Sequence, residues 1–237
     1  LSLQDGDEII MPSYISQDPL SALSVHNGKP VLVDNEENSI HTSVSAIKEA
    51  ITDNTKAIVI PHTFGYHFYC EDLYDLNIPI IEDISHAIGT EHEELHIGSK
   101  ATFTVISFAP EMIITTGNGG MVLTNNSKFF STMRELRGSN NDSLHLDMTL
   151  TDLQGAMGIS QLMRLKDFIK RRRDIAKAYY DAIRSTPHIT PLKYNEEFAY
   201  QSFPILFDSP SDKVERYWKK SGIEIIRPIS KPLHSYL

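Results

Sequence analysis

The chain has 237 residues, 41% of them hydrophobic and 22% charged, and a formal net charge of -9. That balance is ordinary for a folded globular protein and excludes a disordered chain, which would have too little apolar surface to bury. The acidic excess repels a phosphate backbone and speaks against nucleic acid as a partner. No apolar run reaches the ~20 residues of a membrane-spanning helix, so no membrane partner is expected.

Apolar runs of strand length recur along the chain, and segments of helical character follow them. Strands are predicted at Glu8 to Pro12, Pro30 to Asp34, Ala57 to Thr63, Pro79 to Asp83, Thr102 to Phe108 and Gly119 to Thr124. Ala57-Ile58-Val59-Ile60 and Ile78-Pro79-Ile80-Ile81 lack polar alternation, the mark of strands buried on both faces. Such alternation of strands and helices predicts an α/β fold, a three-layer sandwich around a mainly parallel sheet.

Helices are predicted from Ser43 to Thr52, with Ser43 as N-cap, and from Ser127 to Leu136, closed by Gly138. A much longer helical pattern runs from Thr151 to about Arg184 and carries Leu153, Met157, Leu162, Leu165, Ile169 and Ile175. After Pro187 the character changes: a strand at Phe203 to Phe207, a helix at Ser211 to Ser221 and a strand at Ile223 to Ile226 predict a partial small α+β domain. The expected division is a large domain over 1–150, an interdomain helix over 151–186 and the small domain over 187–237.

Cys70 is the single cysteine. It cannot make an internal disulfide, which favours the cytoplasm, and it reads as a small buried hydrophobe. Lys170-Arg171-Arg172-Arg173 is the one basic run, and Asp167 and Asp174 beside it make a solvated helix face the expected reading. His92-Glu93-Glu94-Leu95-His96 satisfies the HExxH pattern of zinc peptidases, in which two histidines one helical turn apart hold the metal. Here the pattern lies in a polar segment between Gly89 and Gly98, where an exposed acidic turn is expected. No peptidase and no catalytic metal site follow from it, although His92 and His96 could hold zinc without catalysis. Gly117, Gly119 and Gly120 lack the lysine and spacing of a phosphate loop and read as a tight turn into a strand.

The segment Ser107-Phe108-Ala109-Pro110-Glu111-Met112-Ile113-Ile114-Thr115-Thr116-Gly117-Asn118-Gly119-Gly120 resembles the Ser-Phe-x-x-x-Lys-x-Leu-Thr-Thr-Gly-Glu-Gly-Gly signature of the DegT/StrS family, fold-type I sugar aminotransferases that use pyridoxal phosphate. Other pieces follow in the same order. Gly6-Asp7-Glu8-Ile9-Ile10-Met11-Pro12 is similar to the family's opening. So are Pro61-His62-Thr63-Phe64-Gly65, Ile80-Ile81-Glu82-Asp83-Ile84-Ser85-His86-Ala87, Leu153-Gln154-Gly155-Ala156-Met157-Gly158 and Pro232-Leu233-His234 to later elements. Aligned without a gap, the Schiff-base lysine falls on Met112, whose thioether has no amine to condense with an aldehyde.

The resemblance implies roles for other residues. Asp83 would face the pyridine nitrogen and keep the ring protonated; capping the following turn is its plain alternative. His86 would lie near the phenolic oxygen, and Ser107 would contact the phosphate. Asp147 stands where the family has an Asn reaching across the dimer to the phosphate, Thr149 replaces the following Arg, and Ser16 replaces the ring-stacking aromatic. The resemblance places the family's Gly-Thr-Ala phosphate segment ahead of Leu1, and neither Lys100 nor Lys128 replaces the missing amine.

These departures point to a sugar-aminotransferase-like chain with no catalytic lysine and no covalently bound cofactor, in which Asp83, His86 and Ser107 allow weak non-covalent binding of pyridoxal or pyridoxamine phosphate. The expected partners are a second copy or a full-length homologue, in a dimer, and a sugar nucleotide. Two alternatives stand beside this: an active sugar aminotransferase or lysine-less dehydratase-like enzyme with His86 as base, and a fragment without an independent role.

Overall fold

The computed structural model describes residues 1, 3–138, 148–186, 188–207, 211–227, 229 and 231–237. Its elements are β1 (Glu8–Pro12), α1 (Asp18–Ser24), β2 (Lys29–Val33), α2 (Val44–Glu49), β3 (Thr55–Pro61), β4 (Ile80–Asp83), β5 (Glu91–His92), β6 (Leu95–His96), β7 (Phe103–Ser107), β8 (Gly120–Leu123), α3 (Ser127–Arg137), α4 (Asp152–Leu162), α5 (Leu165–Ile183) and α6 (Ser211–Lys220). Short 3₁₀ turns lie at Thr63–Gly65, Glu71–Leu76 and Leu233–Ser235.

Six strands form one sheet in the order β2-β1-β3-β4-β7-β8. All neighbours run parallel except β7 and β8, which pair antiparallel with Ser107 opposite Gly120. Successive side chains leave opposite faces of a strand, so the unbroken apolar runs feed two cores. Ile10, Ile58 and Ile60 pack with Ile47, Phe68 and Leu73 on one face. On the other, Ile9, Met11, Ala57 and Val59 pack with Leu23 and Leu233. Leu233 is wholly buried there, so the Pro-Leu-His segment near the carboxyl end folds back onto β1.

The expected helices form: α2 is shorter than predicted, and α3 runs one residue further, to Arg137. Ser43 caps α2 by accepting a hydrogen bond from the Ala46 amide through Oγ at 3.0 Å, and Gly138 ends α3 in the left-handed region. The long pattern from Thr151 to Arg184 is two helices: α4 opens with a capping box between Thr151 and Gln154, and the chain breaks at Met163 and Arg164 before α5. Helix α1 went unpredicted, since its seven residues are too few to show a helical period.

The strand expected at Ile223 to Ile226 does not form among the described residues, and Phe203 to Phe207 contributes one bridge, Leu206 to Ile189. Among the described residues neither run finds a full strand to pair with, and so small a pairing is not a stable sheet.

The basic run is corrected as well. Lys170 and Arg171 are exposed, but Arg172 and Arg173 turn inward. The Arg172 guanidinium donates to the carbonyls of Tyr200 and Gln201 at 3.2 and 3.1 Å. That of Arg173 donates to Phe198 and Glu197 at 2.9 and 2.8 Å. The pair ties the strap 197–201 to α5. That strap crosses Gly65, where a Cβ would stand 2.6 Å from the amide nitrogens of Tyr200 and Gln201 and where φ is +92°; only glycine fits.

Candidate cofactor site

The carboxyl ends of β4 and β7 lie side by side, the place where open α/β sheets hold their ligands. Asp83 ends β4, half-buried, and its Oδ1 accepts the Ser85 amide at 2.8 Å, so it caps the turn while standing at the sheet's ligand end. Ser85, which sequence reasoning missed, joins the two strands by accepting the Ser107 amide through Oγ at 2.8 Å. Ser107 Oγ accepts the Ala109 amide at 3.3 Å.

His86 is half-buried. Its Nδ1 accepts the Phe64 amide at 3.2 Å, and the rings of Phe64 and His86 are stacked 6.3 Å apart. Phe64 itself has a positive φ of 60°, a conformation costing about 1–3 kcal/mol in a residue of this size. Burial lowers the His86 pKa against the opposing charges of Asp83 and Glu111. A neutral imidazole whose Nδ1 accepts a hydrogen bond carries its proton on Nε2, so His86 presents a donor rather than a free lone pair.

The glycine segment is held over these strands from several sides. The Phe108 amide donates to the Gly119 carbonyl at 2.9 Å, and the Met112 amide to Ala109 at 3.1 Å. Helix α4 braces the segment from outside: Gln161 accepts the Thr115 amide at 3.0 Å, and Gln154 donates to the Asn118 carbonyl at 3.0 Å. Met112 is half-buried within this loop.

No lysine lies in the loop. Lys100 precedes β7, and Lys128 follows the strand β8 whose Leu123 pairs with Thr104. Asn125 donates to the Ser99 carbonyl at 2.8 Å, which sets both lysines at the amino end of β7, away from Ser107. Ser16 is exposed and donates to Asp18 at 3.0 Å, so no ring stacks there. Thr149 is exposed, and Asp147 lies outside the described residues. Asp83, His86 and Ser107 thus lie at one end of the sheet.

Behind the site lies a buried triad that no motif announced. His62 Nε2 donates to Glu82 at 2.9 Å, Tyr74 donates to the other carboxylate oxygen at 2.6 Å, and His62 Nδ1 accepts the Phe68 amide at 3.2 Å. Burial raises the Glu82 pKa, but the donors His62 and Tyr74 outweigh it and hold the carboxyl below its ordinary value. Cys70 is fully buried, and burial pushes its thiol pKa up to about 12, so it is an inert core residue.

His92 and His96 fall on β5 and β6 of an antiparallel hairpin in which Glu91 pairs with His96 and His92 with Leu95. Paired residues share a face and successive ones alternate, so the two histidines point to opposite sides. Glu93 and Glu94 form the exposed turn at positive φ. The HExxH pattern cannot chelate a metal here.

A cleft of about 1040 Å³ opens elsewhere in the molecule. The loops after β1 and β2 form one wall with Tyr14, Asn35 and Ile40; the carboxyl-terminal third forms the other with Phe203, Trp218 and Arg227. His234 lies at its edge and shares a 2.7 Å hydrogen bond with Ser13 Oγ.

A mainly parallel sheet flanked by helices is the architecture of the fold-type I pyridoxal-phosphate aminotransferases. Over residues 1–236 the sequence matches the DegT/DnrJ/EryC1/StrS aminotransferase family, and the chain belongs to that family. It is 28% identical to GDP-perosamine synthase of Escherichia coli O157:H7, over 99% of this chain and 68% of that protein. An uncharacterised protein of Methanocaldococcus jannaschii is 30% identical, over 91% of this chain and 62% of its own. The fold superposes with a TM-score of 0.88 and 26% identity on Helicobacter pylori PseC, an aminotransferase involved in the biosynthesis of pseudoaminic acid, covering 99% of this chain and 68% of PseC. The chain therefore spans about two thirds of the length of these relatives. Solved structures of this fold exist in pyridoxal-phosphate and pyridoxamine-phosphate forms. Among the described residues, no helix is long and apolar enough to cross a membrane.

Proposed function

We propose that this chain is a sugar-aminotransferase-like subunit of cytoplasmic sugar-nucleotide or surface-polysaccharide biosynthesis that has no transaminase activity of its own. The observation that carries the reading is Met112 in the loop Ala109 to Thr116, at the position that the resemblance gives to the Schiff-base lysine. The only nearby lysines in sequence, Lys100 and Lys128, flank the opposite end of β7. Asp83, His86 and Ser107 would then act as a residual cradle, able to hold pyridoxal or pyridoxamine phosphate weakly and without a covalent bond.

The reading also includes a dimer, with a second copy or a full-length homologue. Its support is the exposure of Leu153, Ile159 and Leu162 on α4 and of Met163 just after it, 79%, 64%, 56% and 83%. Large apolar side chains exposed in one region mark contact surfaces in soluble proteins. A lysine-less enzyme with His86 as base is disfavoured, because the Phe64 amide engages the Nδ1 lone pair and leaves Nε2 protonated.

The deciding experiment is borohydride reduction of the purified protein with pyridoxal phosphate, followed by peptide mass mapping. No site-specific pyridoxyl-lysine is expected. A reduced adduct on one protected lysine would restore the enzyme reading.

A further inference from the structure

His67, Glu71 and His92 come together between the β5–β6 hairpin and the chain that follows β3. One donor atom from each lies within 4.8 Å of the other two. His67 Nε2 is 3.8 Å from Glu71 Oε1, and His92 Nε2 is 3.7 Å from the same oxygen. Both separations are too long for hydrogen bonds. They are close to the roughly 3.3–3.5 Å between two ligands of one tetrahedral ion with bonds of about 2.0–2.1 Å.

A second observation points the same way. The His67 side chain is 4% exposed, yet among the described residues neither of its ring nitrogens makes a hydrogen bond, and Nδ1 is fully buried and unpartnered. A cation on Nε2 would give that nitrogen the partner it lacks. His92 is oriented from behind, its Nδ1 facing Glu197 Oε2 at 3.9 Å. Rings also wall the cluster: His67 and His92 lie 4.7 Å apart, and Tyr69 is 4.5 Å from one and 5.0 Å from the other. Glu71 remains 42% exposed, which leaves an entry path and room for water.

We propose that His67, Glu71 and His92 form a site for a divalent first-row transition cation, zinc above all, with water in the fourth position. Two imidazoles and a carboxylate suit zinc, whereas magnesium and calcium prefer all-oxygen shells. The ion ties the β5–β6 hairpin to the 3₁₀ turn that begins at Glu71, so two surface segments of distant sequence become one. HExxH contributes one of its histidines, and the second comes from outside the motif.

The test uses the whole purified chain and zinc chloride alone, by calorimetric titration against the metal-free protein, with cobalt as a spectroscopic substitute. One equivalent of zinc should bind at micromolar affinity or tighter and raise the unfolding temperature, and magnesium and calcium should not compete. Cobalt should give the intense visible bands of a four-coordinate ion. His92→Gln, a change at a partly exposed position, should weaken zinc by at least about tenfold and remove those bands, while His96→Gln leaves both unchanged. Circular dichroism matched to wild type keeps the comparison among folded proteins. No stoichiometric zinc uptake by the folded wild-type chain, or equal losses from His92→Gln and His96→Gln, would overturn the proposal. Neither outcome bears on the cofactor reading, which rests on Met112.

Discussion

His41 gives the clearest link between a buried side chain and a bulk measurement. It packs 5.4 Å from the Phe68 ring, is 9% exposed, and its Nε2 is buried without a hydrogen-bond partner. Burial, helped by the nearby rings of His62 and His67, lowers its pKa from 6.5 to about 3. In the unfolded chain the ring takes up a proton near its ordinary value, whereas the folded chain refuses it until far lower pH. The unfolded state therefore binds more protons throughout this window, and stability falls as the pH drops. Between about pH 7.5 and about pH 5 the single site removes about 2 kcal/mol, because each pH step of one below the ordinary histidine value costs about 1.4 kcal/mol.

The carboxyls of Glu8 and Glu82 are held below their ordinary value of 4.5, so their own losses fall at more acid pH. Urea unfolding of wild type and His41→Gln at both pH values isolates the effect as a double difference, which cancels any general cost of the substitution. The variant should lose about 2 kcal/mol less than wild type on acidification. An identical loss in the two proteins would show that His41 is protonated in the fold or already shielded in the unfolded chain, and the reasoning would fail.

Met112→Lys alone should not restore transamination in a coupled sugar-nucleotide assay, because Ser16 still provides no stacking ring; full activity from that one change would refute the account of the accessory losses. Tyr74→Phe removes the donor 2.6 Å from the buried Glu82 carboxylate and should cost about 1–3 kcal/mol in urea unfolding, with a change below about half a kcal/mol counting against the triad as a structural element. Analytical ultracentrifugation at micromolar concentration should show a dimer, and Ile159→Asp combined with Met163→Asp should dissociate it; a wild-type monomer would remove the association part of the proposal.

Much of the scaffold was legible in the residues themselves. Unbroken runs such as Ala57-Ile58-Val59-Ile60 have no polar face to offer water, so only a strand covered on both sides accommodates them. Ser43 and Gly138 mark helix ends through local hydrogen-bonding and φ preferences that need no distant partner. The placement of Asp83, Ser107 and the glycine segment at one end of the sheet followed from strand polarity and resemblance together, and the absence of an amine at Met112 is a matter of residue identity.

What sequence alone could not supply is whatever depends on which distant side chains converge. Arg172 and Arg173 read as a charged helix face because charge is local, while the carbonyls of 197–201 that receive them are set by the crossing of a strap over Gly65. The break at Met163 and Arg164 leaves the helical apolar spacing nearly intact, so periodicity ran through it. Glu82 meets His62 and Tyr74 only because β3 and β4 are neighbours in the sheet. His92 faces His67 and Glu71 rather than His96 because a two-residue strand pair sends successive side chains to opposite sides. Periodicity and capping act over one or two turns of chain, whereas these contacts join residues brought together by sheet order, and that order is decided by packing.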